Sequence, residues 1–299
     1  MFATIAGPYP THPGTAADAL DAVLEDQLGA GLGMVGDGRV RRLDTDEDVA
    51  AAVEAWMTAS TALTALVGEG PAPALKACLV GPLSTPGDAE AASARVGLAI
   101  RALHDAGAPV VQVDEPWSTT PEAATDAGRE RARLAWIRLL AGVAGHVTLA
   151  LPGGGATAIG ADVLVAAPFG SLLVDLVTGP DDWRAVARLP GERGVILGVA
   201  NLRRAADTRE VLLWAARYAA SMHGRGLARV GLAPSAGLER LDRVAARARL
   251  AVLAEVAALA TLPPEELVQH VDPRAIDARS AGLGRWEPRP RQGRGSPGG

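Results

Sequence analysis

Eight short apolar runs, separated by longer stretches rich in Ala, Leu and Arg, set the strongest limit on how this chain can fold. The runs are "ATIAG" (3–7), "GMVGD" (33–37), "LKACLVG" (75–81), "PVVQVD" (109–114), "HVTLALP" (146–152), "SLLVDLV" (171–177), "GVILGVA" (194–200) and "ARVGLAP" (228–234). Their length and β-branched content are those of strands. Helical stretches are predicted at 16–30, 47–67, 88–106, 121–143 and 208–223, with a last one at 239–261. Asp207 and Glu210 fit a capping-box variant that opens the 208–223 helix. The link 156–168 is short and holds Pro168, so the helix expected there is the least marked.

Such alternation implies parallel strands joined by right-handed crossovers. Eight units in roughly 240 residues suit a closed (β/α)8 TIM barrel better than an open sheet. The barrel is expected to take residues 1–265, with 266–299 as a C-terminal extension. From about 282 that extension becomes "GLGRWEPRPRQGRGSPGG" and reads as disordered.

Hydrophobic residues make up 48% of the chain but aromatics only 3%, so its core must be packed with Ala, Val and Leu. A net charge of −5 argues against a nucleic-acid surface. Cys78 is the only cysteine, which rules out an internal disulfide and a Cys-rich metal cluster. "MFATIAGPYP" lacks the features of a signal peptide, and no uninterrupted apolar stretch of membrane length is evident. A cytoplasmic protein without a membrane segment is expected.

In a barrel of this kind the reactive residues sit at the C-terminal ends of the strands. Those ends read "GPYP", "GDGR", "GPLS", "DEP", "LPGGG", "DLV", "ANLRR" and "APSAG". Asp37, Asp114 and Asp175 are thereby brought to one mouth, with Ser235 beside them. Within "VQVDEP", alternation puts Gln112 and Asp114 on one side and Val111 and Val113 on the other. If the valines meet the helices, the polar pair points inward. A buried carboxylate is expensive unless partnered or functional. Asp114 and Asp175 are therefore candidate catalytic carboxylates, and Asp37, Gln112, Asp114, Glu115 and Ser235 candidate substrate contacts. The structural alternative makes Asp114 and Glu115 loop-holding groups, with Arg39 or Arg203 as cations. The glycine run "LPGGGATAIG" either offers N–H groups to an anion or is a plain loop.

These endings, in this order, resemble the C-terminal catalytic barrel of cobalamin-independent methionine synthase. "TIAGPYPTHPG" is similar to that family's Thr-x-x-Gly-Ser-(Phe/Tyr)-Pro opening, and "LKACLVGPLS" to its Lys-x-x-hydrophobic-x-Gly-Pro segment. "VQVDEP" is close to its Asp-Glu-Pro motif, and "APSAGL" to its Pro-(Asp/Ser)-Cys-Gly-Leu ending. The resemblance covers about residues 3–262. It implies methyl transfer to the thiol of homocysteine or a related amino-acid nucleophile, from a folate or from a corrinoid donor protein. The Asp of Asp-Glu-Pro, here Asp114, would bind the substrate α-ammonium.

The resemblance also implies a zinc ion held by one His, two Cys and a Glu, and here this chain departs from it. Where the family's His-x-Cys ends the fifth strand, this chain reads "TLALPGGG". Leu149 with Leu151, or Ala150 with Pro152, would occupy those two positions. Ala236 replaces the last cysteine and Asp175 the glutamate. His146 starts the fifth strand at the wrong end, and Cys78 in the third strand is expected to be a core residue. His223 ends a helix in "SMHGRG", where an imidazole often caps carbonyls, and His12, His104 and His270 have no partner spacing. "GDGR" also puts Arg39 where relatives carry an acid. No metal or other cofactor is therefore predicted. Three functions stay open: a transferase with altered or metal-free chemistry, a metal-free carboxylate enzyme by analogy with uroporphyrinogen decarboxylase, and a non-catalytic ligand-binding descendant.

Overall fold

The computed structural model describes residues 1–10, 12, 14–38, 48–202 and 208–271. Arg39, Arg203, Asp207 and the stretch from 272 onward, including the expected disordered tail, lie outside the described residues. Eight parallel strands run in the order β1-β8-β7-β6-β5-β4-β3-β2. They are β1 (Phe2–Ala3), β2 (Met34–Gly36), β3 (Ala74–Val80), β4 (Val110–Asp114), β5 (His146–Leu151), β6 (Ser171–Asp175), β7 (Gly194–Ala200) and β8 (Val230–Pro234). With crossover helices between them this is one nearly closed (β/α)8 barrel, as the alternation predicts.

The helices are α1 (Ala16–Gly29), α2 (Val49–Val67), α3 (Ala89–Asp105), α4 (Asp126–Leu139), α5 (Ala161–Ala166), α6 (Trp183–Arg188), α7 (Arg209–Ser221), α8 (Arg243–Leu259) and the short α9 (Pro264–Leu267). Side-chain oxygens of Thr15, Asp48, Asp88, Thr125 and Asp242 accept from N–H groups in the first turns of α1, α2, α3, α4 and α8. The helix predicted over 121–143 is shorter. Pro116–Thr119 and Glu122–Ala124 form 3-10 turns first, and the Thr125 cap then starts α4. The 156–168 link splits into a 3-10 turn, Ala156–Ile159, and the six-residue α5, parted by Gly160 at φ 97°. α6 was not anticipated from the sequence.

α2 is long and apolar enough, by length and composition, to cross a membrane, contrary to the expectation that no segment reaches that length. In the fold it is a crossover helix whose Ala52, Ala55, Ala59 and Leu63 face the core. Its apolarity comes from the small side chains that let a helix lie close to the sheet.

Two apolar layers build the molecule. The larger lies between strands and helices and holds Val111, Val113, Leu149, Leu151, Leu172 and Val174. The smaller is inside the barrel: Ala6, Ala150, Leu173, Ile196 and Ala233, with Phe2 against them. These small residues leave one side of the interior to polar groups.

β1 and β2 share no ladder among the described residues, yet they are neighbours. A β-carbon placed on Gly33 would lie 3.1 Å from the Phe2 β-carbon. The fully buried Gln27 of α1 takes up the backbone groups of β2 that no ladder to β1 satisfies. Its Nε2 donates to Gly36 O at 2.7 Å and its Oε1 accepts from Gly36 N–H at 2.9 Å. Above it, Tyr9 N–H donates to Gly38 O. Nearby, the buried Asp26 accepts from Tyr9 Oη at 3.2 Å and from Arg243 Nε at 2.8 Å, with Arg247 Nε at 3.4 Å. Tyr9 is driven well above an ordinary phenol by burial and by the Asp26 charge. The first and last barrel helices are thus joined through one carboxylate.

Candidate functional site

Register places Cys78, Gln112 and Thr148 side by side across β3, β4 and β5, and Val80, Asp114 and Ala150 in the next row. The valines of β4 meet the helices, so Gln112 and Asp114 face the interior as alternation requires. Both are buried. What offsets that burial was not read from the sequence: Lys76, in the same parity on β3, reaches across with its ammonium. Its Nζ donates to Ile5 O and to Gln112 Oε1, each at 2.6 Å. Gln112 Nε2 then donates to Asp114 Oδ1 at 2.6 Å and to Ala6 O at 3.3 Å. The lysine thus fixes which way round the amide sits, and the amide holds the carboxylate. A lysine two residues before Cys78 in an apolar strand was the available signal, since a buried ammonium needs a partner.

Glu115 has a different situation. Its side chain is fully buried against Gly81, where an added β-carbon would come within 2.3 Å of Oε2. Oε1 accepts from Ser84 Oγ at 2.5 Å and Oε2 from Leu83 N–H at 3.2 Å, so this carboxyl holds the loop between β3 and α3. Ser84 Oγ accepts in turn from Trp117 N–H. Burial raises the Glu115 carboxyl to about 7, and the donors from Ser84 and Leu83 only partly oppose it. The loop-holding alternative describes Glu115, and the two arginines envisaged with it lie outside the described residues.

Asp175 ends β6 beside Gly198 and is buried. Its Oδ1 accepts from the N–H groups of Val177 and Thr178, each at 2.9 Å, while Oδ2 is buried with no hydrogen-bond partner among the described residues. Ser235 is buried just beyond β8, its N–H on Ala200 O. Asp37 is half-buried and lines a small cavity of about 20 Å³ with Lys76 and Cys78. Cys78 itself is not a core residue: it is partly exposed and shares the interior parity of Lys76 and Gln112.

The glycine run resolves in favour of an ordered internal structure. Asp182, buried after β6, accepts from Ala156 N–H, Thr157 N–H and Thr157 Oγ1 at 2.9–3.0 Å. The N–H groups of Ala156 and Thr157, at the end of the run, are taken by this carboxylate. Burial raises Asp182 above the usual range, against the pull of the Thr157 and Ala156 donors.

The zinc donor set does not fit. Leu149 and Leu151 belong to the helix-facing layer, so the inward residue at the end of β5 is Ala150, which carries no donor atom. Among the described residues no three of His, Cys, Asp and Glu are grouped to hold a metal ion.

No protein-family model matches this chain, and no curated protein matches it. Solved structures do. A B12-independent methionine synthase from Shewanella sp. W3-18-1, in complex with selenomethionine, superposes with a TM-score of 0.68 at 16% identity, covering 89% of this chain and 98% of that one. A candidate vitamin-B12-independent methionine synthase from Listeria monocytogenes gives 0.66 at 14% identity, covering 86% and 97%. At these identities the likeness is one of fold, over nearly the full length of both relatives.

Proposed function

We propose that this barrel is a methionine-synthase-type transferase that takes a small amino-acid thiol at its C-terminal mouth and methylates the sulfur without a zinc ion. The observation that carries the reading is the Lys76–Gln112–Asp114 chain. A buried carboxylate is held in one orientation at the end of β4, in a fold whose Shewanella relative was solved with an amino acid bound. Asp114 receives the α-ammonium by a charge-assisted hydrogen bond. A free thiol of pKa ~8.5 is mostly protonated at pH 7, so the sulfur must lose a proton as it gains a methyl group. Asp175 Oδ2, buried and without a partner among the described residues, is the acceptor toward which that S–H points. The methyl donor is a folate or a corrinoid protein: the new S–C bond replaces the donor's N–C or Co–C bond, the demethylated folate or Co(I) corrinoid leaves with the electron pair, and no step requires a metal held by this chain.

Calorimetric titration with L-homocysteine and L-methionine, followed by methylcobalamin plus L-homocysteine with mass-spectrometric detection of L-methionine, tests this. Binding and turnover are expected in the parent. Asp114→Asn should weaken binding about ten- to a hundredfold, the worth of one hydrogen bond to a charged group. Binding without turnover would favour the non-catalytic descendant, and no binding of either amino acid would end the reading.

A further inference from the structure

At the N-terminal end of the barrel, opposite the carboxylate mouth, the strand starts enclose a second cavity of about 390 Å³. Three small residues, Gly170, Ser171 and Gly194, lie on its wall. One wall is apolar, formed by Phe2, Met34, Val110 and Ile196. The other carries a hydroxyl chain, with Thr148 Oγ1 2.6 Å from Ser171 Oγ and Ser171 Oγ 3.0 Å from His146 Nε2.

Three arginines converge at this end. Arg225 is buried and directs its whole guanidinium at the carbonyls of Arg193, Ala219, Val186 and Leu189. Arg193 donates Nε to Phe169 O at 2.8 Å and Nη1 to Val165 O at 2.7 Å, and Arg229 donates Nη1 to Arg225 O at 3.3 Å. Among the described residues none of the three has a carboxylate at ion-pair distance, whereas nine other arginines do. Arg193 and Arg229 line the cavity, and Glu192 is the one acid on its wall. Positive charge is therefore in excess here. It is held in place by backbone carbonyls, and among the described residues Arg193 Nη2 and most of the Arg229 fork have no hydrogen-bond partner. Neutral carbonyls orient a guanidinium but do not balance its charge. An anion would, and a guanidinium fork matches a carboxylate.

We propose that this cavity binds a small organic carboxylate, its head against Arg193 and Arg229 and its hydrocarbon body on Phe2, Met34, Val110 and Ile196. The volume lies in the range of small-molecule sites. The site is separate from the amino-acid mouth and does not depend on the function assigned there.

Hexanoate is the probe, titrated calorimetrically into the full chain beside hexylamine and inorganic phosphate. Hexanoate is expected to bind with 1:1 stoichiometry, more tightly than either comparison compound and equally well in the presence of excess L-methionine. Arg229→Gln, a change at an exposed side chain, should weaken it roughly tenfold. Ser171→Leu, which fills the cavity, should abolish it while circular dichroism verifies the fold. Hexylamine or phosphate binding as tightly as hexanoate would overturn the proposal. So would an affinity indifferent to Arg229→Gln, competition by L-methionine, or no hexanoate binding at ~10 mM.

Discussion

Glu115 shows how far a single residue can be taken. Its carboxyl lies near 7 in the fold against an ordinary value of 4.5, because burial disfavours the charge. A folded state with a raised pKa holds its proton more tightly than the unfolded chain does. That contribution is fully present below about 4.5, is lost progressively as pH rises to about 7, and stays lost above it. The difference corresponds to about 3 kcal/mol. Glu115→Gln keeps an acceptor for Ser84 and Leu83 but cannot ionise. Urea unfolding of parent and variant at several pH values should show the variant's relative stability rising by about 3 kcal/mol from pH 4.5 to 8. A difference flat with pH would mean an ordinary carboxyl. Gly81→Ala tests the same packing from the other side. A β-carbon 2.3 Å from Oε2 forces the carboxyl away, and a loss of about 2–3 kcal/mol in the same melts is expected.

At the scale of elements, legibility depended on whether the two faces of a strand differ chemically. In β4 they do: valines alternate with Gln112 and Asp114, so orientation was readable from the sequence. In β5 they do not, because Leu149, Ala150 and Leu151 are all apolar. The structure turns the two leucines toward the helices and the alanine into the narrow interior. The pair Leu149 and Leu151 is therefore the wrong one for a grafted metal site. Ala150→His with Pro152→Cys, Ala236→Cys and Asp175→Glu should gain zinc affinity in chelator competition, while the Leu149/Leu151 version gains none. Asp182 was illegible for another reason. Its partners Ala156 and Thr157 lie some 25 residues earlier, and no local pattern links a carboxylate to so distant a loop. Asp182→Ala removes three hydrogen bonds and is expected to cost about 2–4 kcal/mol. Limited proteolysis should then cut within 152–160, and a resistant loop would show that its glycines hold their shape unaided.

Across the whole molecule, what the sequence could not reveal is how the ring closes. The alternation predicts eight strands, but β1 and β2 are too short to show a shared ladder, and the backbone bond from Tyr9 N–H to Gly38 O lies beyond the ends of both. Asp26 binds α1 to α8 through Arg243 and Arg247, so Asp26→Ala leaves two arginines and a buried phenol without their anion. A loss of about 3–5 kcal/mol is expected in denaturant melts. The Gln27 amide gives the barrel a further property. Mechanically the molecule is a ribbon rolled into a tube with a seam, since at β2 one primary amide from α1 satisfies the Gly36 backbone where the other strand junctions have a ladder. In deuterium exchange the Gly36 amide should open by a local motion that leaves Gln112 and Val113 protected, so the wall can breathe on one side while the carboxylate mouth stays rigid on the other.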